Sequence, residues 1–210
     1  MKRLVYLMAV ALGLSLTGCV SFTPLGPIGD PVEHASTTLK RGAQINEVVI
    51  SAPQVNDTVR ANASRQLTDQ ISNYVEKSDY FNKVVVFPVK AGEDDVILKF
   101  DLTSLSGKRT PHPGYFPGAL LTLTMWIWVN GPIYVDDYDL AGTLVIEDRN
   151  GRTLAKASEQ IKFDQNTGFW DDDYFSFTLG AHQLRDLIAH LMAKATPQLS
   201  NPSTQVATHE

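Results

Sequence analysis

The chain is short of cysteine: its 210 residues hold one, Cys19. That excludes an internal disulfide framework and any multi-cysteine metal cluster. It also lacks an apolar run long enough to span a membrane as a helix and remain there; the longest, residues 4–14 and 119–129, have eleven residues each. A basic surface is missing too. Without residues 1–18 the chain carries 16 basic and 23 acidic side chains, a formal charge of −7. Phosphate binding needs a basic face, so nucleic acid is excluded as a partner, and attachment to anionic lipid by charge alone is disfavoured. No Gly-x-Ser-x-Gly elbow, His-Glu-x-x-His helix or P-loop occurs. The reading is therefore of a protein without catalysis and without a cofactor. What is present, 43% hydrophobic and 20% charged residues, suits one globular domain.

The N-terminus has three zones. Lys2 and Arg3 precede the apolar residues 4–14, and Leu16-Thr17-Gly18-Cys19 follows. A short apolar run behind a basic start reads as a signal peptide, residues 1–18. Small residues before the cysteine leave the chain open to a peptidase, and the thiol is the one nearby nucleophile that could carry a lipid. These residues resemble the lipobox of bacterial lipoproteins. The resemblance implies a diacylglyceryl group on Cys19, cleavage after Gly18 and N-acylation, a membrane anchor that several acyl chains make effectively permanent. Val20 stands where an Asp would signal retention at the inner membrane. The expected address is thus the outer membrane, facing the periplasm.

Residues 19–43 are rich in Pro, Gly, Ser and Thr and read as a flexible tether. Residues 197–210 are polar and read as a disordered tail. The domain expected between them, 44–196, opens with a β-branched strand at 47–50. A helix follows, capped by Asp57 and running to about Ser78, with Val59, Ala63, Leu67, Ile71, Tyr74 and Val75 on one face. Residues 83–89 contain a continuous apolar run that suggests a central strand covered on both faces. Residues 96–103 alternate, with Val96, Leu98, Phe100 and Leu102 on one side. Asn150-Gly151 between two alternating segments marks a hairpin. Leu184, Leu187, Ile188, Leu191 and Met192 form a helical stripe. The order is β-α-β-β-(apolar insert)-β-β-α, which predicts an α+β fold: a mostly antiparallel sheet with two helices on one face.

The insert, residues 107–138, breaks the pattern. Residues 119–129 are uncharged and alternate: Leu121, Leu123, Met125, Ile127 and Val129 on one side, Thr122, Thr124, Trp126 and Trp128 on the other. They read as a strand of a hairpin turning at Asn130-Gly131-Pro132. Three roles are open to it: packing in the core, an interface between subunits of a homo-oligomer, or contact with a membrane. Leu121, Leu123, Met125, Trp126, Ile127 and Trp128 are the candidate contact residues. Downstream, Asp136, Asp137, Asp139, Asp171, Asp172 and Asp173 belong to a strongly acidic stretch and could form a charged rim, or simply a solvated surface. His182, Asp186 and His190 share a helical face opposite the apolar stripe, so they read as a wet face, and no metal is expected. Phe169, Trp170, Tyr174, Phe175 and Phe177 pack densely in sequence, as core or as a binding platform.

Lipobox, Pro-rich segment, element order, apolar insert and Asp-x-Asn-Gly hairpin together resemble a loose group of small outer-membrane lipoproteins with α/β domains. The group includes the curli secretion channel, Pel export and lipopolysaccharide-assembly lipoproteins. One departure is plain: the curli channel has two spanning strands per subunit, and here only one run is long and apolar enough. The resemblance implies an accessory subunit of an envelope export or assembly complex. A monomeric lipid-tethered binding module and a lipid-anchored hydrolase remain as alternatives.

Overall fold

The computed structural model describes residues 18–200, apart from 91, 123–124 and 175–178. The signal peptide and Leu16 and Thr17 of the lipobox lie outside the described residues, as do 201–210. Gly18 and Cys19 are exposed.

Three long strands form the backbone of the fold. These are β5 (Val96–Pro111), β6 (Tyr134–Glu147) and β7 (Thr153–Thr167), antiparallel in that order. The free side of β5 is completed by three short strands in succession. β2 (Ala43–Ile45) pairs with it in parallel from Val96, β3 (Val49–Ile50) in parallel from Asp101, and β1 (Val20–Phe22) antiparallel, with Val20 opposite Arg109. β4 (Val84–Val86) pairs in parallel with β2 and closes the order β4-β2-β5-β6-β7. The sheet is mixed but mostly antiparallel, and the fold is α+β.

Two helices cover one face. α1 (Asp57–Lys77) buries Leu67, Ile71, Tyr74 and Val75; α4 (Ala181–Ser200) buries Leu184, Leu187, Ile188, Leu191 and Met192. Both stripes meet the inward residues of the sheet in one core, with Leu98, Phe100, Leu102, Leu140 and Leu144 fully or almost fully buried. Alternation sets which residues these are, and the register shifts between Leu102 and Ser104. That extra residue changes the phase of β5, so that Leu105 and Gly107 take the inward positions after Leu98, Phe100 and Leu102. At the β6–β7 turn Gly151 has φ +81°, a conformation glycine adopts at little cost. Asp148 accepts bonds from the backbone N–H groups of Asn150 and Arg152, and these bonds hold its carboxyl below the usual range.

Several expectations need correction. Asn56, not Asp57, caps α1: its side chain accepts from the Thr58 N–H at 2.8 Å. Val59 is exposed. The strand at 83–89 is an edge, not a centre, and Phe87 and Val89 beyond it face solvent. The interior place beside it belongs to β2, between β4 and β5, whose three residues are all buried. α4 runs on through Pro197 to Ser200, past the expected boundary at 196. The insert is shorter than expected because β5 and β6 extend further, leaving 112–133 between them.

The largest correction concerns residues 19–43, which are not a free tether. Phe22 packs edge-on against Tyr138 at 5.8 Å between centroids. It lies so close over Gly107 that a Cβ there would come within 2.2 Å of its ring. Pro24 and Ile28 are buried, and the Ile28 N–H donates to Gln70 of α1. Asp30 pairs with Lys77, and the backbone of Ala35 and Leu39 bonds to that of Ser78 and Tyr80. Proline and glycine here shape a wrapped segment, and its apolar residues supply the burial that a composition count overlooks.

Gly107→Ala should therefore push Phe22 off the sheet. Expected are a loss of about 1–3 kcal/mol in urea denaturation and rapid protease cleavage between β1 and α1. Unchanged stability and cleavage would contradict this docking.

Candidate functional site

The insert is not a hairpin. It contains two short helices, α2 (Tyr115–Leu121) and α3 (Met125–Trp128). Alternation over eleven residues is ambiguous between helix and strand when no partner strand is fixed. Here the flanks decide. Pro117 sits in the first turn of α2, where its missing N–H would be unpaired in any case. Thr122 continues the helical bonding to the Gly118 carbonyl, and its hydroxyl accepts from the Trp126 N–H at 3.0 Å. Trp126 then folds back. Its ring lies over Gly118 and Gly131, where added Cβ atoms would come within 2.5 and 2.4 Å, and its Nε1 donates to the Pro132 carbonyl at 3.2 Å.

Trp126 and Ile127 are half-buried, whereas the other described candidates face outward. Leu121 is 82% exposed, Trp128 68% and Met125 58%. Leu123 lies outside the described residues. Phe116, Leu120 and Val129 add to the exposed apolar surface. None of the described residues in the two helices is buried, so packing in the core is overturned as the role of the insert.

A second piece of chain joins this tip. Asn130, at φ +55°, donates from its side chain to Asp171 at 2.8 Å and accepts from the Trp170 N–H at 3.0 Å. Asp171 also accepts from the Gly168 N–H at 2.7 Å. Trp170 is thereby set beside Trp128, 6.2 Å between rings, and Phe169 stands edge-on to Trp170 at 4.9 Å. Phe169 in turn contacts Tyr174, which contacts Tyr134. Phe175 and Phe177 lie outside the described residues.

Beneath the tip is a buried ion pair. Arg109 of β5 donates from Nε and Nη2 to the two oxygens of Asp136 of β6, at 2.6 and 2.7 Å. The Asp136 side chain is 0% exposed and that of Arg109 11%. Asp136 also accepts from the buried Thr167 hydroxyl of β7 at 2.6 Å. The remaining guanidinium donors reach the carbonyls of Asp173 and Tyr174, at 2.6 and 3.0 Å, in the short 3-10 turn Asp172–Tyr174. The guanidinium lies 4.8 Å from the centre of the Tyr134 ring. Burial disfavours its charge, but the bond and the charge of Asp136 outweigh that and hold Arg109 above its ordinary range. One pair thus fastens three strands and the turn behind Trp170. Burial, with the charges of Asp173 and Asp136, raises the neighbouring Tyr138 hydroxyl as well.

The six acids do not form a rim. Asp136 and Asp173 are buried, and Gln183 donates to Asp173 at 3.3 Å. Asp137 and Asp139 occupy the outward positions of β6, Asp139 beside Gln160 and Lys162. Asp171 is committed to the loop, and Asp172 is exposed. Strand alternation separates them: residues 136 and 138 share one face of β6, residues 137 and 139 the other. Sequence reading missed Arg109. The signal was there, because Asp136 is in phase with the inward Leu140, Leu144 and Ile146, and an inward carboxylate requires a cation. His182, Asp186 and His190 are exposed on α4, and among the described residues no group of His, Cys, Asp and Glu is placed to hold a metal. Nor is any described helix long and apolar enough to cross a membrane.

No family model and no curated protein matches the chain. Solved structures align with the chain at low identity and low TM-score. A Xanthomonas campestris protein of the DUF330 family is 10% identical over 82% of this chain and 95% of its own, with a TM-score of 0.48. The PelC dodecamer from Paraburkholderia phytofirmans is 10% identical over 87% and 98%, with a TM-score of 0.42. A minor lipoprotein from Acinetobacter baumannii is 14% identical over 78% and 93%, with a TM-score of 0.29. No residue role is carried across these alignments.

Asp136→Asn leaves a buried guanidinium without its counter-charge and should cost about 3–5 kcal/mol in urea denaturation. The double variant Arg109→Met, Asp136→Leu should recover most of that loss. Equal stability of the single variant and the native protein would contradict the assigned role.

Proposed function

We propose that this protein is a lipid-anchored accessory subunit of an envelope export or assembly complex, held at the outer membrane and facing the periplasm, and that it acts by attachment and not by catalysis. The reading is carried by one observation: a rigidly held, solvent-exposed apolar tip. Exposed large apolar side chains are ordinary when scattered. Here Phe116, Leu120, Leu121, Met125, Trp128 and Val129 come from fourteen consecutive positions, with Trp170 added from the neighbouring loop. Gathered apolar surface of this kind marks a contact site on a folded protein. The lipobox resemblance at residues 16–19 supports the anchor, and Val20 in place of Asp supports the outer membrane as its address. Cys19 is exposed and so open to acylation.

The monomeric binding module has one observation in its favour, the linked rings of Trp128, Trp170, Phe169, Tyr174 and Tyr134. The two readings differ in mass. Extracted in mild detergent, the accessory subunit should elute as a discrete assembly larger than one chain. A clean monomer would favour the binding module. Separately, Cys19→Ser should shift the protein from the membrane fraction to the soluble or unprocessed one. Continued fractionation with the outer membrane would remove the anchor from the account.

A further inference from the structure

The lipid-bearing residue and the apolar tip lie at the same end of the sheet, with almost no chain between them. Val20 is already hydrogen-bonded into the sheet opposite Arg109, and Ser21 and Phe22 continue the pairing toward Lys108 and Gly107. Cys19 therefore sits where β5 is about to end. From Arg109 to Pro111, the last residue of β5, is about 7 Å of extended strand. The insert begins at the next residue, and the His112 N–H bonds back to the Ile133 carbonyl at its far side. Phe22 over Gly107 and the buried Pro24 prevent β1 from swinging away. A flexible linker of two dozen residues would let the domain float far from its anchor, but this attachment has no such slack.

We infer that the occupant of the tip is the lipid bilayer itself: the exposed residues of α2 and α3, with Trp170, enter the headgroup and upper acyl region of the leaflet that holds the Cys19 lipid. This rests on the lipid-anchored reading above and adds to it a second, non-covalent contact that fixes how the domain stands. Residues 113–135 contain no ionisable group other than two tyrosine hydroxyls. Trp and Tyr favour the membrane interface, where an apolar ring and a polar edge are both accommodated. Backbone bonds at the ends of the two helices, Tyr115 N–H to the His112 carbonyl, Thr122 N–H to Gly118 and Gly131 N–H to Trp126, pair part of the tip's polar backbone, and the groups left over suit the hydrated headgroup region and not the acyl core. The exposed charges toward this end, Lys108, Asp137 and Asp172, are mixed in sign and form no basic cluster, so the attraction is apolar and not electrostatic. Binding should accordingly be indifferent to anionic lipid and to salt. The opposite end of the sheet carries the Asp148–Arg152 turn and the end of α4, where Gln198 bonds to the backbone of Lys156. That end points away from the membrane.

The chain has three tryptophans, Trp126, Trp128 and Trp170, and all belong to the tip. Intrinsic fluorescence therefore reads this end alone. The lipidated protein is placed in phosphatidylcholine vesicles whose acyl chains are brominated near the headgroup. Expected is a blue shift and a roughly twofold loss of emission, unaltered by added phosphatidylglycerol or salt. Leu120→Asp with Leu121→Asp, or Leu121→Ser with Met125→Ser, changes only exposed side chains; either pair should abolish the quenching and keep the circular dichroism and the melting temperature. Emission unchanged by brominated lipid, on protein that floats with the vesicles, overturns the inference and leaves the anchor standing. A blue shift without quenching, together with a discrete larger native mass, assigns the tip to a second copy and also overturns it. The mass of the N-terminal peptide reports the lipid independently. If Cys19 carries none, the anchored reading fails, and quenching of the same protein added to vesicles still decides this one.

Discussion

The Arg109–Asp136 pair is the constraint on which the working end of the molecule depends. A buried carboxylate and a buried guanidinium each lose several kcal/mol of hydration, and mutual attraction offsets this only with good geometry and full hydrogen bonding. Both conditions are met. The pair is bidentate, Thr167 takes a further bond to the carboxylate, and two carbonyls of the 3-10 turn take the remaining reach of the guanidinium. An all-apolar cluster could match its stability. It could not fix in register the ends of β5, β6 and β7 and the loop bearing Trp170, because apolar contacts are not directional. The pair also lies where β1 enters the sheet, since Val20 is paired with Arg109. The chain next to Cys19, the insert and the aromatic loop are thus referred to one point.

The proposed function builds on that point. A protein attached by a lipid needs nothing more to stay on a membrane. It needs a second contact if it is to hold a defined orientation. The wrapped segment between β1 and α1 removes the slack that would make orientation meaningless, and Gly107 makes room for the ring that secures it. The glycines beneath Trp126 do the same for the insert, letting its ring fold under while Leu120, Leu121 and Trp128 remain outside. The apolar surface is exposed because its supports are local and specific.

Much of the fold was legible in the sequence because its signals were local. Asn150-Gly151 demanded a turn and made one. The stripe from Leu184 to Met192 and the alternation from Val96 to Leu102 each had one period and one solution. Errors arose where the answer depended on partners distant in the chain. Val84, Val85 and Val86 are as apolar as a central strand, yet they lie at the edge with β2 inside them, and only the tertiary arrangement shows it. Residues 119–129 fit a strand equally well until Pro117, Gly118 and Gly131 are seen to hold a helical turn around Trp126. Pro24 and Ile28 were hidden by the prolines and glycines around them. The sequence picked out an apolar segment whose Leu121, Met125 and Trp128 are exposed, although with the wrong local structure. The acidic rim was not there, because counting acids ignores the side of the strand on which each one stands.

The central claim is that the domain stands on its tip with its strands directed away from the lipid. The most direct measurement is the distance between the β6–β7 turn and the bilayer. On protein whose N-terminal peptide mass shows Cys19 to be lipid-blocked, a fluorophore on Asn150→Cys can transfer energy to acceptors among the lipid headgroups. With β6 spanning about 45 Å of extended strand, the account predicts weak transfer that corresponds to a turn held tens of ångströms above the surface. Strong transfer, placing Asn150 near the headgroups, would mean that the domain lies flat or inverted, and would contradict it.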